Sequence, residues 1–364
     1  MGQMQPPHTD RISRIRSRLS DQELDAVLIQ SLANIFYLVG FSGSDGALLI
    51  DGTKEVLLVD GRYIAQAGTE AVASKIVEYR DKVDGISQAV LENGFRRVGF
   101  ESSVLSFQQH LDLVSRTRNT EWIPVAKGGV DEIRSIKDEA ELACIRQAID
   151  FASTAFQIVM NGVRPGMYER EIAAELDYRM KKEGAEDVSF STIVASGENS
   201  VLPHAKPGRR RLAPGDFVVI DFGAVYGGYR SDETCTVGVG HLSRAQEEIY
   251  KVVRDAHDLA LDQIRDGVSC RGIDKLVRDY IQDKGYGPYF SHATGHGVGL
   301  EVHEYPRLNR LSEAVLKTGM VVTVEPGIYV PGHGGVRIED MVLVRENDCE
   351  RLTKLPKELK LICG

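Results

Sequence analysis

The sequence predicts an α+β protein in two domains, and three observations carry that prediction. Residues 1–130 alternate short apolar strands with helical stripes, the pattern of an α/β domain with a mixed sheet. Residues 131–364 read as two helices followed by an acidic hairpin, twice over. Two segments of that second domain also match each other. Leu212-Ala-Pro-Gly-Asp-Phe-Val-Val-Ile-Asp221-Phe-Gly223 aligns with Leu316-Lys-Thr-Gly-Met-Val-Val-Thr-Val-Glu325-Pro-Gly327, so that Asp221 falls where Glu325 falls.

In the first domain, Arg11–Asp21 reads as a helix and Ala26–Ile29 as a strand. Ala47–Ile50 and Val56–Val59 form a strand pair joined by Asp51-Gly52, a hairpin signal. Further strands fall at Arg97–Phe100 and Trp122–Pro124. The stretch Gly40–Gly46 lacks the Lys-Ser/Thr of a phosphate loop and is read as a plain turn. No catalytic constellation is evident here. A boundary falls near Lys127–Asp131, and Ser135–Asp138 has the form of a helix N-cap. Leu142, Ile145, Ile149, Ala152 and Phe156 then mark one helix, and Ile172, Leu176 and Met180 a second. After the first acidic hairpin, Ser243 opens a long helix with Ile249, Val252, Val253, Ala256 and Ile264, and Ile273, Leu276, Val277 and Tyr280 mark its partner. The two short helices start alike, Gly166 preceding Ile172 as Gly267 precedes Ile273.

Composition narrows the function. A chain of 364 residues, 42% apolar and 27% charged, can bury sizeable cores and is ordinary for a soluble protein. Its net charge of -9 argues against nucleic acid or an anionic membrane as a partner. No apolar run approaches the roughly 18–20 residues of a membrane span. The opening Met1–Asp10 lacks the basic-then-apolar order of a signal peptide, and Pro6 spoils a myristoylation site. Five scattered cysteines without C-x-x-C spacing suit reduced thiols and a cytoplasmic location.

The chemistry concentrates in the hairpins. Each returns on a strand carrying a second acid, Asp232 in the first and Glu339 in the second. With a turn at Gly227-Gly228, Asp221 lies opposite Thr234 and Asp232 is its diagonal neighbour on the same face. With a turn over Pro331–Gly335, Glu325 lies opposite Met341 and Glu339 takes the same diagonal step. Four acids on one inner face repel one another unless cations sit between them. Acids set in strands as apolar as Phe217–Ile220 and Met320–Val324 therefore point to a cage for divalent ions. Nitrogen donors come from Ser291–Pro306, with His292, His296 and His303, and from His204 just before the first hairpin. His241, His257 and His333 are read as surface residues.

These motifs carry a family resemblance. Val219–Gly223, Ser231–Thr234, Gly295–Leu300, Val324–Ile328 and Val336–Asp340 resemble those of the pita-bread metallopeptidases, which include methionine aminopeptidase, aminopeptidase P and prolidase, with creatinase as a metal-free relative. The resemblance covers about residues 135–364, and the first domain resembles the creatinase/prolidase N-terminal domain. It implies two domains, 1–130 and 131–364, the second a pita-bread (methionine-aminopeptidase/creatinase-like) catalytic domain. It implies that Asp221, Asp232, His296, Glu325 and Glu339 bind two divalent ions, Asp232 and Glu339 bridging, Asp221 on one ion, His296 and Glu325 on the other. Mn²⁺ suits the oxygen-rich set, with Co²⁺ or Zn²⁺ able to enter.

The activity implied is hydrolysis of Xaa-Pro bonds by a metal-bridged hydroxide. Glu325 would carry the water proton, and His303 and His204 would donate hydrogen bonds to the substrate carbonyl and oxyanion. His292 would line the proline pocket or support the network. Tyr329 would contribute to substrate binding, with Arg337 and Thr234 orienting the ligands. Glu304–Arg307 is more like prolidases than aminopeptidases, and Arg307 could pair with a dipeptide's carboxylate. The reading is thus a cytoplasmic Xaa-Pro dipeptidase (prolidase), expected as a homodimer. Its alternatives are aminopeptidase P, acting on longer proline-containing peptides, and a non-catalytic pita-bread binding module.

Overall fold

The computed structural model describes residues 8–125 and 129–363. The sequence readings at residues 1–7, and those at Lys127 and Gly128 of the expected boundary, lie outside that range. The chain divides into two compact units, Met1–Arg134 and Ser135–Gly364.

In the first unit six strands make one mixed sheet, in the order Lys75–Tyr79, Glu55–Asp60, Ala47–Asp51, Ala26–Ile29, Arg97–Glu101, Glu121–Val125. The middle hairpin is antiparallel, and Asp51 closes it by accepting the backbone N–H groups of Thr53 and Lys54. Gly40 ends the helix Leu32–Val39 in the left-handed conformation, with φ 76°, and the chain runs on as a loop through Gly46.

The second unit repeats itself. The helices Glu139–Met160 and Glu169–Glu183 bury Phe156, Leu176 and Met180 against Val218, Ile220 and Phe222 of the first hairpin. The helices Arg244–Leu261 and Cys270–Asp283 bury Val253, Ile273 and Val277 against Val322, Val324 and Val342 of the second. Each helix pair thus provides the apolar backing of one hairpin, whose opposite face is left free to carry acids. Ser243 caps its helix through a reciprocal bond pattern with Gln246. Ser135 does not cap the first helix as expected. Ile136 bridges to Met320, which keeps the backbone extended there, and the cap falls to Asp138 with Glu141.

The first hairpin has the expected register: Asp221 pairs with Thr234, and Gly227 and Gly228 turn it with φ of 57° and 77°. The second differs from expectation. Its turn is shorter, Pro331–His333, with Val330 already facing Gly334. Thr323, rather than Glu325, therefore faces Met341, and Val324 faces Asp340. Glu325 and Glu339 come directly across from each other where the ladder is interrupted. The slip is two residues, so both acids keep the face that was expected. Among the described residues, no helix is long and apolar enough to cross a membrane.

Leu176 is wholly buried between the first helix pair and its hairpin. Leu176→Ala should lower unfolding free energy by about 2–5 kcal/mol in denaturant titrations. A loss within about 0.5 kcal/mol, the range of a surface substitution, would show that this core is not what supports the hairpin.

Candidate metal centre

The strand Gly295–Gly297 is threaded so tightly that a Cβ at Gly295 would strike the carbonyl of Thr323, and one at Gly297 that of Tyr305. That close approach seats His296 against the acids of both hairpins. Its Nε2 lies 3.3 Å from Glu325 Oε1 and 3.7 Å from Asp232 Oδ2. Its Nδ1 is 3.1 Å from the carbonyl of Gly297, so a proton there donates inward and leaves the Nε2 lone pair facing the carboxylates. Asp232, His296 and Glu339 each place a ligand atom within 4.8 Å of the others.

Glu339 accepts the Thr234 hydroxyl at 2.7 Å on Oε2, while its Oε1 is buried without a hydrogen-bond partner. Asp221 accepts Arg337 Nη2 at 2.6 Å on Oδ2, and its Oδ1 is likewise buried and unpartnered. Orphaned carboxylate oxygens are costly inside a protein. Two of them, beside an imidazole lone pair and two further acids, are the donor set of a hard divalent cation, and the residues present fit one.

The electrostatics agree. Burial pushes Asp232 well above the usual carboxylate range, and Glu339 and Asp221 push it further. Burial, then Glu325 and Asp221, do the same to Glu339. Burial also opposes charge on Glu325, but His296, His292 and Arg337 outweigh it and hold that carboxyl down to about 2.

Arg337 ties the parts together. It donates to Thr234 Oγ1 at 3.1 Å, to Asp221, to the Tyr329 hydroxyl at 2.9 Å and to the carbonyl of Pro203 at 3.0 Å. The Tyr329 hydroxyl in turn lies 2.9 Å from His292 Nε2. His292 Nδ1 lies 2.8 Å from the Ala293 carbonyl and 4.0 Å from Glu325 Oε2. His303 packs edge-on against His296, with ring centroids 4.3 Å apart. His303 keeps an exposed face, and its partial desolvation, then the neighbouring His296 and Arg307, lowers its pKa to about 4. His204 is exposed and directly follows Pro203, whose carbonyl accepts Arg337. Arg307 is an exposed residue of the strand Glu304–Leu308, in register with His296.

One sequence expectation is corrected. His241 and His333 are exposed, but His257 is fully buried, with Nε2 3.2 Å from Asp340 Oδ2. It follows Val253 by one helical turn, on the stripe that packs inward. The sequence reading also missed two buried acids that grip histidine-bearing segments. Asp274 accepts the N–H and hydroxyl of Thr294 and pairs with Arg278, which donates to the carbonyls of Phe290 and His292. Glu169 accepts from Ser196, Asn199 and Gly208 around the loop of His204. Both acids sit at stripe positions of their helices, Asp274 in line with Val277 and Ile281, Glu169 with Ile172 and Leu176. An acid on an apolar stripe was the available signal.

Residues 143–346 match the metallopeptidase family M24, and residues 11–136 match the creatinase/prolidase N-terminal domain. The chain belongs to metallopeptidase family M24. This M24 protein is 40% identical to the solved Xaa-Pro dipeptidase from Bacillus anthracis, covering 97% of this chain and 99% of that one with a TM-score of 0.93. It is 39% identical to the Xaa-Pro dipeptidase of Pyrococcus horikoshii, over 96% of this chain and 98% of that one. The X-Pro aminopeptidase from Thermotoga maritima is similar at 37% identity and a TM-score of 0.85, covering 95% and 100%. The M24 protein is thus an enzyme, a metallopeptidase with the pita-bread fold and the N-terminal domain of the prolidases.

Carboxyls with raised pKa values keep protons at a pH where ordinary acids have lost them, and a cation must expel those protons to bind. Mn²⁺ binding to the metal-free M24 protein should therefore release protons and tighten as pH rises. Titration calorimetry in two buffers of different ionisation enthalpy reads this directly. Equal heats in both would contradict it.

Proposed function

We propose that the M24 protein is an Xaa-Pro dipeptidase working with two divalent ions, Mn²⁺ by the hardness of its donors. The observation that carries the metal reading is the pair of orphaned oxygens, Asp221 Oδ1 and Glu339 Oε1, in one acidic, His-bearing cavity. Asp232 and Glu339 would be shared between the ions, Asp221 would hold one, and His296 with Glu325 the other. When bound, the ions supply Lewis acidity, which acidifies water and polarises the scissile carbonyl.

The remaining steps belong to side chains. Glu325 takes a proton from water and passes it toward the proline nitrogen, which cannot leave as an anion. His303, neutral at pH 7 with its pKa near 4, donates a hydrogen bond to the carbonyl oxygen, and His204 donates to the developing oxyanion. His292 and Tyr329, held in line by Arg337, form a wall for the proline ring. Arg337 and Thr234 orient Asp221 and Glu339. Arg307 clamps the carboxylate that follows proline. Five free cysteines support a reducing, cytoplasmic setting, and a homodimer is part of the proposal.

The second reading is an Xaa-Pro aminopeptidase, favoured by the likeness to the Thermotoga maritima enzyme. Substrate length separates the two. The Mn²⁺-loaded protein should cleave Xaa-Pro dipeptides faster than Xaa-Pro-Yaa tripeptides, and Arg307→Ala should raise KM for dipeptides alone. Equal effects on both remove the clamp, and a tripeptide preference in the wild type favours the aminopeptidase.

His204→Ala and His303→Ala should each lower turnover by about 10²–10³-fold, the cost of an oxyanion donor. Elemental analysis should still find close to two metal ions per chain. Loss of metal in either variant would make that residue a ligand instead.

A further inference from the structure

The loop bearing His204 leaves the strand Ile193–Ser196, makes a short helical turn over Gly197–Val201 and returns at Gly208. Both ends of this loop meet one carboxylate. Glu169, the first residue of the helix Glu169–Glu183, has no exposed surface. Its Oε1 accepts the backbone N–H and the hydroxyl of Ser196, each at 2.7 Å. Its Oε2 accepts the N–H of Gly208 at 3.0 Å, and the Asn199 amide reaches both oxygens at 3.1 Å. Arg210 reinforces the same corner, donating to Ser196 Oγ at 2.8 Å while paired with Asp216 at 2.5 Å. Charged acceptors make the stronger hydrogen bonds, and burial sharpens them further.

The loop's inner side is tied to the second hairpin. Ser200 Oγ accepts the N–H of Gly335 at 2.8 Å, and the Pro203 carbonyl accepts Arg337. His204 therefore stands on a short span, between an anchor shared with the metal centre and the anchor at Glu169. Beyond Pro203 the exposed half of the loop returns through Gly208, whose N–H meets Glu169 Oε2 and whose carbonyl accepts the N–H of Arg170 at 3.2 Å, so Glu169 is its side-chain anchor.

We propose that Glu169 is a positioning residue for His204, holding both ends of the loop so that the imidazole stays beside the metal centre. The proposal rests on the reading of His204 as an oxyanion donor. It predicts that Glu169 acts on turnover only through His204, which a merely structural carboxylate would not do.

The test uses the Mn²⁺-loaded full chain and Ala-Pro as substrate. Glu169→Gln keeps the size of the side chain but sets an amide N–H₂ against the N–H of Gly208. Hydrogen exchange should rise in peptides covering residues 197–208, and metal content should stay the same. Turnover should fall about 10-fold, the effect of a misplaced group, with little change in KM. In a His204→Ala background, the same change should cost less than about two-fold, because coupled residues are not additive. Unchanged exchange, full additivity or loss of metal would each overturn the proposal. If His204→Ala alone leaves turnover intact, the role given to His204 fails and the positioning claim falls with it, while the exchange data still show whether Glu169 holds the loop. Should Glu169→Gln fail to fold, Asn199→Ala removes the amide that reaches both oxygens and leaves the carboxylate, and the same pattern is expected at smaller size.

Discussion

Arg337 is the charge on which the rest of the second unit depends. Asp221, Asp232, Glu325 and Glu339 converge in a largely buried space, and self-repulsion alone would drive them apart. One guanidinium, 3% exposed, meets that field from the second hairpin. It reaches across to Asp221 and Thr234 of the first hairpin, so the two halves are joined by the same group that offsets part of their charge. A single arginine cannot balance four acids, and the surplus is what creates affinity for cations. The stability of the apo fold and the function of the site are thus set against each other, as expected where a cavity is built for a ligand.

The two halves are alike in plan and different in detail, and the differences are where chemistry enters. Both hairpins are backed by a helix pair, and the ladder breaks at Asp232 in the first and at Glu325 and Glu339 in the second. In the first, Asp221 and Asp232 are diagonal neighbours; in the second, Glu325 and Glu339 lie directly across. Each half also uses its second helix to grip a histidine segment through a buried acid, Glu169 for the loop of His204 and Asp274 for the segment from Phe290 to Thr294. A repeat of scaffold has been kept while its two edges serve separate groups.

Much of this is legible in the sequence. Apolar stripes located the four helices and the paired strand runs, because periodicity records which face is buried. The face shared by each acid pair followed from the alternation of strand side chains, and it held in the second hairpin although the register there moved by two residues. What failed were choices between neighbouring local options. Two N-cap candidates, Ser135 and Asp138, lie three residues apart, and the bridge from Ile136 to Met320 leaves the cap to the later one. His257 sits on an inward stripe, and its burial is met by Asp258 at Nδ1, 3.3 Å away, and by Asp340 at Nε2, 3.2 Å away, a contact no local pattern shows.

The sequence by itself determined the kind of chemistry, since residue types and their spacing fix which donors can share a strand face. Five ligand-type residues in two apolar hairpins and one glycine-rich segment pointed to a divalent-metal site, and metal use is what family M24 implies. Only the tertiary structure decided which oxygens are left without partners, how Arg337 divides its donors, and that Glu169 and Asp274 act at a distance along the chain. Those facts depend on contacts between segments far apart in sequence, and no local pattern encodes the angle at which two packed elements meet.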